Sequence, residues 1–182
     1  AARSRSATRH RTLPSETSER ALRTVLQGVP FVRGLYDRIQ EAKAFIESRS
    51  SLRPRVALVL GTGLGGMGKS IDAAAVIPYG EIPYFVEATG LGHHGNLILG
   101  TLGGKEVAAM QGRLHYYEGY TMKEITFPLR VMRALGAAEL VMSSAVGGMN
   151  PHLDRGDIVV LTDFINLMGD NPLVGWNDDR LG

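Results

Sequence analysis

Gly112 to Tyr120 read GRLHYYEGY, a segment that gathers an arginine, a histidine, a glutamate and three tyrosines around two turn-forming glycines. In a core, each of these polar tips would need its own buried partner, so this density of donors points to a ligand. The planar guanidinium of Arg113 can grip two oxygens of one oxyanion, and such charge-assisted bonds are roughly twice as strong as neutral ones. His115 follows two residues on, and Tyr116, Tyr117 and Tyr120 bring hydroxyls and flat faces that suit a sugar. The competing reading of Arg113, an exposed ion pair with Glu118, would be worth at most about 1 kcal/mol.

A glycine loop, GTGLGG from Gly61 to Gly66, directly follows the aliphatic run Arg55 to Leu60. Backbone amides at the carboxyl end of a strand are free to converge on an anion, and Thr62 adds a hydroxyl donor. The same stretch satisfies the G-x-G-x-x-G dinucleotide pattern. Gly63 to Ser70, GLGGMGKS, also has the phosphate-loop spacing, with Lys69 and Ser70 in place and Asp163 as a candidate acid after a later strand. Both patterns must open a helix of several turns, yet the chain reaches Pro78 and Gly80 within ten residues of Ser70 and offers no apolar face. A dinucleotide site would also need an acid ending a second strand, and Glu81 falls instead in the turn-like YGEIPYF. A P-loop NTPase stays as the alternative from a different class.

Two further loops carry polar or small residues. His93 and His94 lie in GLGHHG, where no HExxH-type spacing supplies the other ligands that zinc requires. Val141 to Pro151, VMSSAVGGMNP, reads as a strand that ends in small side chains, which let a ligand approach the main chain. Plain helix–sheet packing would use small residues there as well.

GRLHYYEGY closely resembles the phosphate- and ribose-binding signature of the trimeric purine nucleoside phosphorylases. GTGLGG, GLGHHG, VMSSAVGGMNP and the closing GDIVVLTDFINL and NPLVGWNDDRLG agree with that family in the same order, from about Phe31 to Gly182. The resemblance implies a three-layer α/β/α sandwich around a central mixed sheet. It implies reversible phosphorolysis, in which phosphate attacks C1′ with inversion to give the free purine and (deoxy)ribose 1-phosphate. It assigns phosphate to Thr62, His93, Arg113, His115, Ser144 and Ala145, with His115 catalytic, and ribose to Tyr117. Glu118 is then expected to orient Arg113 or its loop, and Tyr116 and Tyr120 to pack. Ser144 stands where the family more often has asparagine. Leu181 stands where a family aromatic enters the neighbouring subunit's ribose pocket, keeping an apolar wall without the ring.

The same resemblance implies no metal and no organic cofactor, with phosphate as a co-substrate. It further implies a homotrimer in cytoplasmic purine salvage, whose partners are small molecules rather than nucleic acid or membrane. The family's purine-contacting glutamate and asparagine lie beyond Gly182. Residues 30–182 therefore read as the N-terminal part of a single domain, expected to bind phosphate weakly and not to turn over. A methylthioadenosine phosphorylase of the same superfamily is the nearest alternative, and a non-catalytic nucleoside- or phosphate-binding remnant is the remaining one.

The elements that must hold these residues follow from periodicity. Leu35, Ile39, Ala42 and Ile46 recur at helical spacing, as do Ile125, Leu129, Met132 and Leu135 within Met122 to Leu135, where Pro128 is expected to bend or delay the helix. A weaker helical pattern runs from Ser18 toward Leu26. Arg55 to Leu60, Ile98 to Leu102, Glu106 to Met110, Glu139 to Ser143 and Asp157 to Thr162 read as strands, with Gly103-Gly104 closing a hairpin. Strands alternating with helices predict an α/β fold around a largely buried sheet.

Composition bounds the function. Four of the 20 basic residues, Arg3, Arg5, Arg9 and Arg11, precede the first acid, Glu16, so residues 15–182 carry 16 basic against 18 acidic groups. That net charge of −2 argues against a nucleic-acid-binding body. The Arg- and Ser-rich start has the composition of a disordered or non-native tail over residues 1–29. No apolar run approaches the roughly 20 residues of a membrane helix. The absence of cysteine excludes disulfides and thiolate metal sites and is compatible with the reducing cytoplasm.

Overall fold

The computed structural model describes residues 34–61, 64–87, 95–175 and 177–181. The expected tail over 1–29, the helical pattern near Ser18 to Leu26, and Thr62, His93 and His94 lie outside the described residues. In chain order the elements are α1 (Leu35–Arg49), β1 (Val56–Leu60), a 3-10 turn (Gly65–Ser70), β2 (Asp72–Pro78), β3 (Asn96–Leu102), β4 (Lys105–Gln111), α2 (Met122–Leu135) and β5 (Glu139–Met142).

The five strands form one mixed sheet in the order β2-β3-β4-β1-β5. β1 runs parallel to both β4 and β5, whereas β2, β3 and β4 pair antiparallel. The β3–β4 hairpin forms as its glycines predict, with Gly103 and Gly104 at φ 57° and 75°, a pair of positive values that side chains with a Cβ rarely adopt. The chain therefore has the α/β fold with a central mixed sheet that the resemblance implied.

Alternation along the strands separates two apolar clusters. Ala57, Val59, Leu97, Leu99, Ala108 and Met110 meet Ile39 and Ile46 of α1 and Phe127, Val131 and Met132 of α2 on one face. Val56, Leu58, Leu60, Ile98, Val107 and Ala109 occupy the other face, where Ile71 after the 3-10 turn joins them. Both described helices thus pack on the first face. Each fully buried aliphatic side chain there, such as Leu97 or Val131, contributes roughly 1.5–3 kcal/mol.

Pro128 neither delays nor ends α2, which starts at Met122 and continues to Leu135. Thr121 caps it reciprocally: the Glu124 N–H donates to Thr121 Oγ1 at 3.3 Å, and the Thr121 N–H donates to Glu124 Oε2 at 2.7 Å. Pro128 itself is buried in the core, so packing offsets the backbone bond that its ring removes. At the other end Gly136, at φ 122°, lets the Ala137 N–H return to the Met132 carbonyl.

The strands differ from the sequence reading at three places. β2 was not anticipated, because DAAAVIP shows little alternation; it is an edge strand whose residues are mostly exposed, and Pro78 is tolerated at its end. β5 forms, but its four residues are exposed rather than buried. Asp157 to Thr162 has no regular structure and is exposed throughout, with Ile158 at 93%. A β-branched run supplies propensity only, and a ladder also requires a partner edge.

Candidate functional site

The site is assembled where three parallel strands end. β1 lies between β4 and β5, with Val59 opposite Met110 on one side and Met142 on the other. The segments leaving these strands, Gly61, Gly112-Arg113 and Ser143-Ser144, therefore emerge together at one edge of the sheet. Carboxyl ends of parallel strands are where free backbone amides and following loops converge on ligands.

Ser143 joins the three. Its N–H donates to the Val59 carbonyl at 3.1 Å, and its Oγ accepts the Gly61 N–H at 3.0 Å. The contact is so close that a β-carbon on Gly61 would overlap the Ser143 carbonyl oxygen. That same carbonyl accepts Arg113 Nη1 at 2.9 Å, while Arg113 Nη2 donates to Ser144 Oγ at 3.3 Å. Gly112, at φ 101°, makes the turn out of β4 that aims Arg113 at this junction. The half-buried guanidinium has donors left for an anion after these two bonds.

The remainder of GRLHYYEGY forms a 3-10 turn, Tyr116–Glu118. Glu118 does not pair with Arg113: its Oε2 accepts the His115 N–H at 3.2 Å, so it orients the loop. Its Oε1 is buried and has no hydrogen-bond partner among the described residues. The His115 ring stacks on Tyr117 with centroids 4.8 Å apart and planes at 21°, and Tyr117 is 81% exposed. Tyr116 does not pack as expected and is exposed. Tyr120 donates its hydroxyl to the Glu87 carbonyl at 2.7 Å.

Of the residues singled out from the sequence, the structure brings Arg113 and Ser144 into contact at one junction. Ala145 follows Ser144, exposed, and His115 and Tyr117 stack in the turn two residues beyond Arg113. Leu181 packs against the first apolar cluster of its own chain, next to Arg180, which lies 4.1 Å above the Tyr36 ring and 3.7 Å from the Asp37 carboxylate. Ser143 escaped the sequence reading, because parallel register cannot be read from one strand and Ser143 and Ser144 look alike.

The phosphate-loop alternative does not survive. Lys69 and Ser70 are exposed in a 3-10 turn that leads straight into β2, so the helix whose N-terminus would hold a nucleotide phosphate is replaced by a strand. Asp163 lies in irregular, exposed chain rather than after a strand. Among the described residues, no three His, Cys, Asp or Glu side chains are placed to hold a metal ion.

At its parallel strand ends the mixed sheet thus gathers Arg113, Gly61 and the paired serines Ser143 and Ser144. Residues 55–181 match the family model described as Phosphorylase superfamily, and the chain belongs to that family. It is 47% identical over 146 residues to "Purine nucleoside phosphorylase 1" of Bacillus subtilis, covering 80% of this chain and 54% of that protein. It is 44% identical over 150 residues to "Purine nucleoside phosphorylase" of Bos taurus, covering 81% and 52%. Among solved structures it superposes with a TM-score of 0.75, at 42% identity, on isoform 2 of purine nucleoside phosphorylase from Schistosoma mansoni in complex with cytosine and ribose-1-phosphate, covering 80% of this chain and 52% of that one. The chain spans about half the length of the curated relatives it matches.

Proposed function

We propose that this chain carries the phosphate- and ribose-binding part of a purine nucleoside phosphorylase, which reversibly converts a purine (deoxy)ribonucleoside and phosphate to the free base and (deoxy)ribose 1-phosphate. The observation that carries this reading is the convergence of Arg113 with Ser143, Ser144 and the start of the Gly61 loop at three parallel strand ends. In the reaction the C1′–N bond breaks with its electron pair going to the purine, and a phosphate oxygen forms the new bond to C1′ from the opposite face. Positive charge grows on the sugar as the base departs, as in glycoside cleavage, and an anion held beneath it stabilises that charge and is placed for attack.

In this reading Arg113 anchors phosphate with Thr62, His93, His115, Ser144 and Ala145, and His115 touches the reacting anion. Tyr117 offers its open face to the ribose. No side-chain nucleophile, metal or organic cofactor is needed, because phosphate is itself the nucleophile. The complete enzyme is proposed to be a cytoplasmic homotrimer of purine salvage, in which Leu181 forms an apolar wall of a neighbouring ribose pocket.

Titration of the 182-residue chain with inorganic phosphate tests the reading. Millimolar binding is expected in the parent chain, with a loss of roughly tenfold or more in Arg113→Ala, as for a charge-assisted bond. Equal affinity in the two would overturn it. Incubation of the 182-residue chain with inosine and phosphate is expected to release no hypoxanthine above background, because it spans about half the length of the relatives it matches.

A further inference from the structure

Tyr79 is the largest fully buried side chain among the described residues, 1% exposed, and it belongs to none of the loops read as ligand-binding. It sits in the 3-10 turn Tyr79–Glu81 that follows β2. Its hydroxyl donates to the Gly112 carbonyl at 2.7 Å, and its backbone N–H donates to the Gly95 carbonyl, also at 2.7 Å. Its ring packs edge-on against Phe85 at 5.7 Å, and Phe85 packs in turn against Phe127 of α2 at 5.9 Å. The backbone bond to Gly95 and the Phe85 ring thus fix the Tyr79 side chain that presents its hydroxyl to Gly112.

We infer that Tyr79 is a positioning residue for the anion site: its hydroxyl fixes the Gly112–Arg113 peptide and thereby the direction in which the Arg113 guanidinium points. Gly112 is the hinge of that geometry. Its positive φ makes a turn that few residues adopt, and the turn alone leaves its carbonyl free to rotate. Anchoring that carbonyl fixes the peptide plane that carries the Arg113 nitrogen. Arg113 then spans to Ser143 and Ser144, so a small rotation at residue 112 is amplified along the longest side chain of the site. A phenylalanine would fill the same volume and satisfy the core, which leaves the hydroxyl without a packing role. Burial also pushes the phenol pKa well above its ordinary value, so the group stays a protonated donor under physiological conditions. Tyr79 is too buried to touch substrate and acts only through Gly112.

The inference rests on the reading of Arg113 as a phosphate ligand, and the experiment separates the two. Phosphate affinity and melting temperature are measured on the full chain for the parent, Tyr79→Phe, Arg113→Ala and the core control Val131→Ala. Tyr79→Phe is expected to weaken phosphate binding roughly 5- to 10-fold, whereas Val131→Ala lowers the melting temperature without changing phosphate affinity. Unchanged affinity in Tyr79→Phe beside a loss in Arg113→Ala would overturn the inference and leave the function standing. No difference between Arg113→Ala and the parent would overturn both. Should Tyr79→Phe fail to fold, the parent chain with 13Cζ-labelled tyrosine decides: the Tyr79 signal moves on saturation with phosphate if the hydroxyl is coupled to the site, and a stationary signal overturns the coupling.

Discussion

Ser143 serves three neighbours with three different atoms, and Gly61 makes that possible by having no side chain. The Ser143 amide continues the β1–β5 ladder, its hydroxyl receives the Gly61 amide, and its carbonyl receives Arg113. Alanine at position 61 would push its methyl into that carbonyl. Gly61→Ala is expected to destabilise the chain by about 1–3 kcal/mol, the usual penalty of overpacking. It is also expected to weaken phosphate binding at least several-fold, because the displaced carbonyl is the acceptor that holds Arg113. Thermal melting and phosphate titration check the two effects, and a variant that loses stability while keeping full affinity would disconnect Gly61 from the site.

At the scale of elements, α2 forms despite an internal proline because its ends are well specified. The reciprocal Thr121–Glu124 cap satisfies amides in the first turn, and the Gly136 turn satisfies carbonyls in the last. Thr121→Ala is expected to cost about 1 kcal/mol by denaturant titration, within the range for a lost N-cap. Thr121→Ser should recover most of that loss, since the accepting oxygen remains. The helix carries Phe127, which supports Phe85 and through it the Tyr79 ring, so the cap bears indirectly on the site.

For the whole molecule, the dominant feature is how unevenly apolar surface is buried. The sheet face under α1 and α2 is closed, yet Leu140, Val141, Ile158, Val160, Leu161, Phe164, Ile165 and Leu167 are all at least half exposed. Exposed apolar side chains in this number favour association. The chain is expected to bind an anilinonaphthalene sulfonate dye and to self-associate with rising concentration, by fluorescence and by sedimentation. Ile158→Lys combined with Phe164→Lys should reduce both signals while leaving the melting temperature within about a degree, because neither side chain contributes to the buried clusters. A large drop in melting temperature would show that this segment is packed in solution.

The residue types in GRLHYYEGY, the glycines at 61, 103 and 104, and the helical periodicities around Ile39 and Met132 were legible from sequence, because each expresses a local requirement: donors for a ligand, positive φ for a turn, one apolar face for a helix. The family was legible for the same reason, through several short motifs kept in order. Register was not. Only the parallel pairing of β1 with β4 and β5 brings Arg113 to Ser143 across 30 positions of chain, and only packing turns Tyr79 toward Gly112 across 33. The failure at Asp157 to Thr162 has the same origin: strand propensity belongs to the residues, whereas a strand exists only where another edge accepts its hydrogen bonds.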